Sequence, residues 1–406
     1  MSIKHLYEDE RPSVLLDFAN SKTLDPRITF ERQSVGTYVD ELGIIRTAVD
    51  NEARFDHNPE TGESLGLLIE EERTNLRTYS TAPNASNDYR IYTTAAYNTT
   101  ETLAPDGTNT ATKITGNGTI YEGFDVYPNT YGQYGGVEQT FSFYVKPVNA
   151  TSIRVAVVSS NYYDFNFTTE TGTLVNGTGG GFEKLANGWY RVWYTGTKSN
   201  QYWYHGGYID SAAATSNSVY IWGVQLENGA FPTSYIPTSG STVQRLADEA
   251  SIIGTNFTSL WTPNAGTWVV GGGPSYLATS NSVLVRVDAD SSAYSMTLNA
   301  KSSDNKLQFA IKDTGTTSGD ITNTEVGIGS ISSLAWDTDS DNTVNIRIDT
   351  EGLFEESSTP RTLNTSINKL QLGNYRGQFN FLNGHISRFA YYNTRLSDTT
   401  LEALTK

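Results

Sequence analysis

Cysteine is absent from this chain of 406 residues. Disulfide bonds and thiolate metal sites are therefore excluded, and small modules must be held by packing or by partner chains. Long apolar runs are absent too: no stretch approaches the roughly 20 apolar residues of a membrane span, and the first residues lack the apolar core of a signal peptide. We expect no membrane insertion and no cleaved leader.

Basic residues are outnumbered, with 28 Lys and Arg against 44 Asp and Glu and a formal net charge of −16 at pH 7. Nucleic-acid binding requires clustered Lys and Arg to contact phosphates, and the sequence shows no such cluster. We therefore expect no nucleic-acid partner. The chain has 2 Met against 25 Tyr, 7 Trp and 36 Gly, a balance typical of strands joined by turns, and it predicts almost no helix.

Alternating apolar residues identify several strands. "TFSFYVKP" places Phe141, Phe143 and Val145 on one face of a strand. The same alternation recurs at Ile153, Val155 and Val157, at Val283, Val285 and Val287, at Leu307, Phe309 and Ile311, and at Val344, Ile346 and Ile348. Turn-forming Asp, Ser, Gly and Asn separate these runs. The sequence predicts an all-β fold of two antiparallel β-sandwich (jelly-roll) domains with one short C-terminal helix.

The closing stretch "RLSDTTLEALTK" predicts that helix. Ser397 is a typical N-cap, and Leu396 and Leu401 have the spacing of a hydrophobic staple. Leu401 and Leu404 then face inward. A helix this short does not persist alone, so we expect it to dock on a sandwich edge.

Two prolines interrupt the middle of the chain. After the strand-like run that ends at Leu226, "ENGAFPTSYIPTSGSTVQR" (residues 227–245) cannot join a central ladder. We interpret this stretch, called the strap below, as the exit from a first sandwich. Tyr235 and Ile236 are expected to hold it there, and a second unit is expected to begin near Ala250.

The segment from Leu16 to Leu76, with "RITFERQSVGTYVDELG" and "GESLGLLIEEERTNL", resembles the N-terminal part of a group of bacteriophage tail and virion structural proteins, many from marine and cyanobacterial phages. "FSFYVKP", "NGWYRVWYTGT" and "WGVQLENGAFPTSYIPTSGSTVQRLAD" are similar to the carbohydrate-binding-module type of jelly roll that follows in that group. "AWDTDSDNTVNIRID" and "FLNGHISRFAYYNTRLSDTTLEAL" resemble a concanavalin A-like lectin/glucanase sandwich. The resemblance implies a virion protein built of lectin-like sandwiches.

On this basis residues 1–78 are interpreted as a virion-attachment or packing segment that packs against, or completes, the first sandwich. Residues 79–247 are interpreted as the jelly roll and residues 248–406 as the lectin sandwich. The expected function is that of a tail fibre or similar appendage on the virion, assembled in the host cytoplasm, that binds host surface polysaccharide. Expected partners are other virion proteins and further copies of the chain, with a trimer favoured. A purely structural virion component and a glycan-degrading tailspike are the alternatives, and the place on the virion is open.

Enzymatic motifs are weak, so we predict no catalysis. "GESLG" (Gly62 to Gly66) matches the serine-hydrolase elbow, which requires a strand before the serine and a helix after it; the sequence favours a Gly-hinged turn entering a strand. Glycoside hydrolysis needs two carboxylates at a fixed separation. The clusters at Glu70, Glu71 and Glu72 and at Glu355 and Glu356 are instead typical of solvated edges.

Metal and cofactor signals are equally weak, and we predict neither. The histidines His5, His57, His205 and His385 are far apart, which favours surface or internally bonded histidines over a zinc site. "DTDSDN" carries Asp337, Asp339 and Asp341, but Asn342 replaces the glycine and Ile348 the glutamate of a calcium-binding EF-hand. Calcium on a lectin-like loop stays open as an alternative to a solvated turn.

Aromatic residues are densest between residues 162 and 208. Sugar rings stack their C–H faces on flat aromatic rings, while their hydroxyls need hydrogen-bond donors and acceptors. The candidate glycan-binding residues are Tyr162, Tyr163, Asp164, Arg191, Trp193, Tyr202, Trp203, Tyr204 and His205. Trp203 and its neighbours have the character of a displayed loop. Because alternate strand residues fill a core, about half of the aromatic rings in this region are expected to be packing residues.

Overall fold

The computed structural model describes residues 11–81, 83–84, 89–119, 122–126, 136–156, 160–197, 205–210, 216–276, 280–289, 294–302, 306–313, 316–318, 330–338, 343–350, 353–360, 366–375, 377 and 379–405. Strands dominate these residues and the helices among them are short, so the predicted all-β fold is confirmed. None of the helices in these residues is long and apolar enough to cross a membrane.

The N-terminal segment consists of short strands around one helical turn. Its elements are β1 (Val14–Asp17), α1 (Phe18–Ser21), β2 (Ile28–Glu31), β3 (Gly36–Val39), β4 (Ile45–Ala48), β5 (Phe55–His57), β6 (Ser64–Ile69) and β7 (Arg73–Asn75). β3 and β4 pair with each other as a hairpin. β5 pairs with β6, and β1, β2, β6 and β7 pair with strands from much later in the chain.

The first sandwich follows. Its strands are β8 (Tyr89–Ile91), β9 (Thr94–Ala96), β10 (Thr112–Thr115), β11 (Glu122–Val126), β12 (Glu138–Pro147), β13 (Ser152–Ala156), β14 (Tyr162–Asn166), β15 (Thr171–Val175), β16 (Gly179–Lys184), β17 (Tyr190–Thr197), β18 (His205–Ile209) and β19 (Ser218–Asn228). Sheet 1 has the order β16, β17, β12, β19, β10, β9, and sheet 2 the order β15, β14, β13, β18, β11, β8. Both sheets are antiparallel and enclose one apolar core.

The second sandwich is built mostly from the C-terminal part. Before it, β20 (Val243–Arg245) at the end of the strap pairs with β7 in a separate two-stranded sheet. The elements that follow are β21 (Glu249–Ile253), α2 (Thr255–Thr258), β22 (Ala265–Pro274), β23 (Ser282–Asp288), β24 (Ser295–Ala300), β25 (Leu307–Asp313), β26 (Thr316–Ser318), β27 (Ile331–Thr338), β28 (Thr343–Thr350), β29 (Leu353–Pro360), β30 (Lys369–Leu372), β31 (Gly384–Tyr392) and α3 (Asp398–Thr405). Sheet 3 has the order β29, β28, β27, β22, β31, β6, β5, with β1 also on β31. Sheet 4 has the order β2, β21, β30, β23, β24, β25, β26.

The N-terminal segment therefore completes the second sandwich, whereas the sequence suggested the first. β1, β5 and β6 extend sheet 3, and β2 extends sheet 4. The segment also packs against the first sandwich, because Ile45 joins Trp189, Tyr144 and other rings in a small apolar cluster on the outer face of sheet 1. The segment thus packs against the first sandwich and supplies strands to the second.

The alternating runs form the predicted strands. Phe141, Phe143 and Val145 lie in the core of the first sandwich, together with Ile153 and Val155. Leu307, Phe309 and Ile311 lie in the core of the second, with Val285 and Val287. A bulge between Val283 and Val285 makes Leu284 the core residue there in place of Val283. Residues 344, 346 and 348 lie in strand β28, though their side chains, like residue 157, are outside the described part.

The strap is anchored by its aromatic residue, as predicted. Tyr235 is buried and packs against Trp222, with ring centroids 4.5 Å apart, and against Tyr144 at 6.2 Å. Its hydroxyl is 2.7 Å from the Ser80 hydroxyl. Ile236 is also buried, and its amide donates to Gln225. The strap is thus held against the outer face of sheet 1.

Buried charges join the N-terminal segment to the start of the second sandwich. Asp248 accepts hydrogen bonds from Arg32 at 3.0 Å, from Arg54 and from the Glu70 amide at 2.9 Å. Glu70 forms ion pairs with Arg54 at 2.7 Å and with Arg245 at 3.5 Å. The side chains of Arg32, Arg54, Arg245 and Asp248 have no exposed surface. The prediction of a solvated edge at Glu70 is therefore wrong, because it is enclosed by Arg54, Arg245 and Asp248, the last of which lies 178 residues further along the chain.

The C-terminal helix α3 forms as predicted. The Thr400 amide donates to the Ser397 hydroxyl at 3.3 Å, which is the N-cap hydrogen bond. Leu396, Leu401 and Leu404 are buried together with Ala335 against sheet 3.

Ser397→Ala is expected to lower the free energy of unfolding by about 1 kcal/mol, because the Thr400 amide then loses its partner at the helix start. Denaturant unfolding of the two proteins measures the difference. Ser397→Asp, which keeps an acceptor at the same position, is the control and should unfold like the original protein. Equal losses in both variants would contradict the capping role.

Candidate functional site

The predicted glycan-binding residues do not share one face. Tyr162, Tyr163, Asp164 and His205 belong to strands of sheet 2, while Arg191 and Trp193 belong to β17 in sheet 1, on the other side of the core. Residues Tyr202, Trp203 and Tyr204 lie outside the described part of the chain. The expectation of a single aromatic face is therefore wrong, although glycan binding itself stays a prediction.

On sheet 2 the alternation sorts the candidates into core and surface. Tyr163 is buried in the core, and His205 is buried against Phe141 with ring centroids 5.2 Å apart. Tyr162 and Asp164 point outward, where both contact Arg154 on the neighbouring strand. The guanidinium of Arg154 lies 3.6 Å from the Tyr162 ring centroid and donates twice to Asp164 at 2.7 Å. This outer patch satisfies its own charges.

On sheet 1 the same alternation directs Arg191 and Trp193 away from the core. Tyr190, Val192 and Tyr194 fill the sandwich, so the intervening side chains project from the outer face, which the N-terminal segment and the strap cover. There they line a cavity of ≈ 280 Å³. Further lining residues come from the second sandwich (Ser275, Tyr276 and His385), from the strap (232–235) and from the N-terminal segment (Thr37, Tyr38, Val39, Ile45, Asp56, His57, Pro59, Leu65, Leu68 and Glu70).

Aromatic rings form one wall of this cavity. Trp193 meets Tyr276 edge to face, with centroids 6.0 Å apart, and Tyr276 stacks on Phe231 at 5.3 Å. Both Trp193 and Tyr276 are only half-buried. Gly181 on β16 makes room for the indole, since a Cβ there would lie 2.5 Å from an atom of the Trp193 ring. Trp193 and Tyr276 thus present two ring surfaces to the cavity, with Tyr276 supported by Phe231.

Polar groups with few partners among the described residues line the same space. Arg191 is buried and donates to the Ser142 hydroxyl at 3.2 Å, while its Nε has no partner. Glu183 is its neighbour across the strands, yet the two groups are not within ion-pair distance. Burial raises the pKa of the Glu183 carboxyl, an effect that Arg191 opposes and Asp56 reinforces. A carboxyl with a raised pKa can remain protonated and donate a hydrogen bond.

Two histidines also reach the cavity. His385 Nε2 lies 2.8 Å from Asp56, and His57 Nδ1 lies 2.9 Å from the carbonyl of Val39. Both rings are buried, and the second nitrogen of each has no partner. The prediction of internally bonded histidines is therefore confirmed for one nitrogen of each ring. Buried nitrogens left without a partner are uncommon, and here they lie in residues that line an open space.

The remaining motifs show no catalytic or metal-binding arrangement in the described residues. Ser64 begins strand β6, and strand β7 follows where a hydrolase elbow would have a helix. No group of three or more His, Asp or Glu side chains in the described part is arranged to hold a metal ion. Asp337 lies 3.7 Å from Arg395, whereas residues 339 and 341, and the side chains of 355 and 356, are outside that part.

Several cavity residues had no signal in the sequence. Asp56, His385 and Tyr276 come from segments hundreds of residues apart, since Asp56 and His385 are separated by 329 positions. Glu183 could have been found, because it lies opposite Arg191 in a hairpin-like pair of neighbouring strands.

Comparison with known proteins shows weak similarity only. No family model matches the chain, and no curated protein matches it. Among solved structures, the CBM40 module of the Ruminococcus gnavus IT-sialidase is 17% identical, with a TM-score of 0.31 over 37% of this chain and 87% of that one. Domain 4 of the GH43 arabinanase AbnA from Geobacillus stearothermophilus is 14% identical, with a TM-score of 0.33 over 44% and 84%. Similarities of this size carry no information about the site.

Proposed function

We propose that this protein binds glycans in the cavity beside Trp193. The observation that carries the proposal is the combination, in one ≈ 280 Å³ space, of ring surfaces with polar atoms that have no partner among the described residues, namely Arg191 Nε, His57 Nε2 and His385 Nδ1. Sugars present apolar C–H faces and hydroxyls together, so they match the ring surfaces and the polar groups of this cavity at once. Polar groups buried without partners cost free energy that a bound hydroxyl or carboxylate recovers.

The size of the cavity limits what enters it. Pockets for drug-sized ligands begin at roughly 300 Å³, and this cavity is close to that lower limit. It accommodates one sugar ring, or a ring with part of its neighbour, and a longer chain would continue outside. The site is therefore suited to one residue of a polysaccharide.

The wider role that we propose is that of a virion appendage which attaches a bacteriophage to host surface polysaccharide. The resemblance of Leu16 to Leu76 and of the later motifs to phage virion proteins supports this role, as does the net charge of −16, which disfavours nucleic-acid binding. In that role the chain would form a homo-oligomer, favoured as a trimer, together with other virion proteins. A purely structural virion protein is the alternative.

We propose binding without cleavage. Hydrolysis of a glycosidic bond needs a second carboxylate to act as base or nucleophile. The carboxylates that line the cavity are Asp56, Glu70 and Glu183. Both oxygens of Asp56 form hydrogen bonds, one with the Val39 amide at 2.6 Å and one with His385 at 2.8 Å. Glu70 is enclosed by arginines. Binding assays in which polysaccharide length is followed over hours test this point, because shortening would favour a glycan-degrading tailspike.

Trp193→Ala is expected to weaken polysaccharide binding about tenfold or more, because it removes one ring surface and about 1.4 kcal/mol corresponds to a factor of ten. The measurement is binding to an array of bacterial surface polysaccharides. Tyr162→Ala is the matched control, since it removes a ring from the outer face of sheet 2, away from the cavity.

Equal binding by the Trp193→Ala and original proteins would show that glycans bind elsewhere. Loss of binding in Tyr162→Ala alone would move the site to the outer patch of sheet 2. If no polysaccharide is bound by the original protein, the structural virion role becomes the leading interpretation.

A further inference from the structure

Arg191 is a buried cation that forms no ion pair with another described residue. A guanidinium has five N–H donors. Among the described residues, Arg191 donates one hydrogen bond, to the Ser142 hydroxyl at 3.2 Å. Its Nε has no partner, and no described carboxylate lies within 4.0 Å of the group. The other contact is with the Tyr144 ring, whose centroid is 5.5 Å away. Buried charges are normally paired, so this arrangement leaves a place for an anion.

The neighbouring acids do not fill that place. Glu183 faces the same space, but burial raises the pKa of its carboxyl and favours the neutral form. Asp56 is held by His385 and the Val39 amide. Glu227 is buried and accepts hydrogen bonds from the amide and hydroxyl of Thr233. Each of these groups is either disfavoured as an anion or committed to another partner.

Two phenols add donors to the same space. Burial raises the pKa of Tyr144 to about 12, and burial also raises the pKa of Tyr276. Both hydroxyls are therefore protonated at neutral pH. Neither forms a hydrogen bond with another described residue, although both side chains line the cavity. Both phenol donors thus lie in the cavity that Arg191 lines, without a hydrogen-bond partner among the described residues.

We infer that the cavity selects an acidic sugar, such as a uronic acid, whose carboxylate binds to Arg191 while its ring contacts Trp193 and Tyr276. This inference rests on the proposed glycan binding. A carboxylate matches a guanidinium with two parallel hydrogen bonds, which a neutral hydroxyl cannot reproduce. A neutral sugar would leave the buried charge uncompensated.

The test compares one polysaccharide with its own carboxyl-reduced form. An acidic polysaccharide that binds the full-length protein is treated so that each uronic acid becomes the corresponding neutral sugar, with linkages and stereochemistry unchanged. Binding to the reduced form is expected to be at least tenfold weaker. Equal binding of both forms, or a general preference for neutral polysaccharides, would overturn the inference and leave the proposed function intact. Binding of no polysaccharide at all would overturn both.

Two variants, Arg191→Met and Arg191→Lys, test whether Arg191 causes the preference for the acidic polysaccharide. Arg191→Met is expected to bind the acidic and reduced forms alike, and Arg191→Lys to keep part of the preference because it keeps the charge but not the planar pair of donors. Arg154→Met is the control, since it removes an equal charge from the outer face of sheet 2. Far-UV circular dichroism and melting temperature show whether each variant folds. A preference that persists in folded Arg191→Met would overturn the inference.

Discussion

Replacing Asp248 with alanine is expected to lower the free energy of unfolding by about 3–5 kcal/mol, the cost typical of breaking a buried ion pair from one side. Arg32 and Arg54 would keep their charges without the carboxylate that both contact, and the Glu70 amide would lose its acceptor. Neither guanidinium has exposed surface through which water could replace the lost oxygen.

Chemical denaturation with intrinsic tryptophan fluorescence measures this loss. Glu41→Ala is the control, because it breaks the exposed ion pair with Lys22 and is expected to leave stability nearly unchanged. Similar stabilities for Asp248→Ala and the original protein would mean that water or a rearranged arginine compensates the charge. Glu70 is part of the same network: burial alone would raise its pKa, but Arg245, Arg54 and the Ser234 hydrogen bonds hold it well below its usual range.

Gly66→Ala is expected to lower stability by about 3 kcal/mol or more, the second large effect. Gly66 has a φ of 96°, a conformation that costs an L-residue energy in itself. A Cβ at this position would also lie 2.3 Å from the carbonyl oxygen of Ile386 on β31. β6 would have to separate from β31, and the N-terminal segment would lose its place in sheet 3.

Gly107→Ala separates these two causes. Gly107 also has a positive φ, 82°, but its added Cβ would meet nothing closer than 3.7 Å. It is expected to lose about 1–2 kcal/mol from the backbone conformation alone. If thermal or denaturant unfolding gives equal losses for both variants, the close approach of β6 to β31 is not a constraint. The second glycine of "GESLG", Gly66, allows β6 to approach β31 closely, so packing explains this part of the motif.

The sequence predicted those parts of the fold that depend on nearby residues. Alternation identified β12 and β25 and their core faces, and capping residues identified α3, because strand and helix periodicity and N-cap bonds are local. The β23 bulge escaped detection because one extra residue shifts the alternation without leaving a distinctive residue type.

The site depended on contacts that local patterns do not encode. Because alternate side chains of a strand point to opposite faces, the sequence predicts that Arg191 and Trp193 share a face. The same rule does not predict to which of the two sheets each aromatic run belongs. The sequence predicts a solvated Glu70 because two of its partners, Arg245 and Asp248, are distant in sequence. The cavity exists only where residues from three parts of the chain meet.

The pairing of β1 and β6 with β31 has a consequence for synthesis. The strands of the first sandwich, β8 to β19, follow one another along the chain, so this sandwich can close while later residues are still being translated. Sheet 3 cannot close at that stage, because β1 and β6 pair with β31 (Gly384–Tyr392), which leaves the ribosome near the end of translation. Closing so long a loop is slow, and unpaired strand edges are exposed to other nascent chains meanwhile. The ordering of β1 and β6 in sheet 3 is therefore expected to be among the last folding events, and the steps most helped by chaperones.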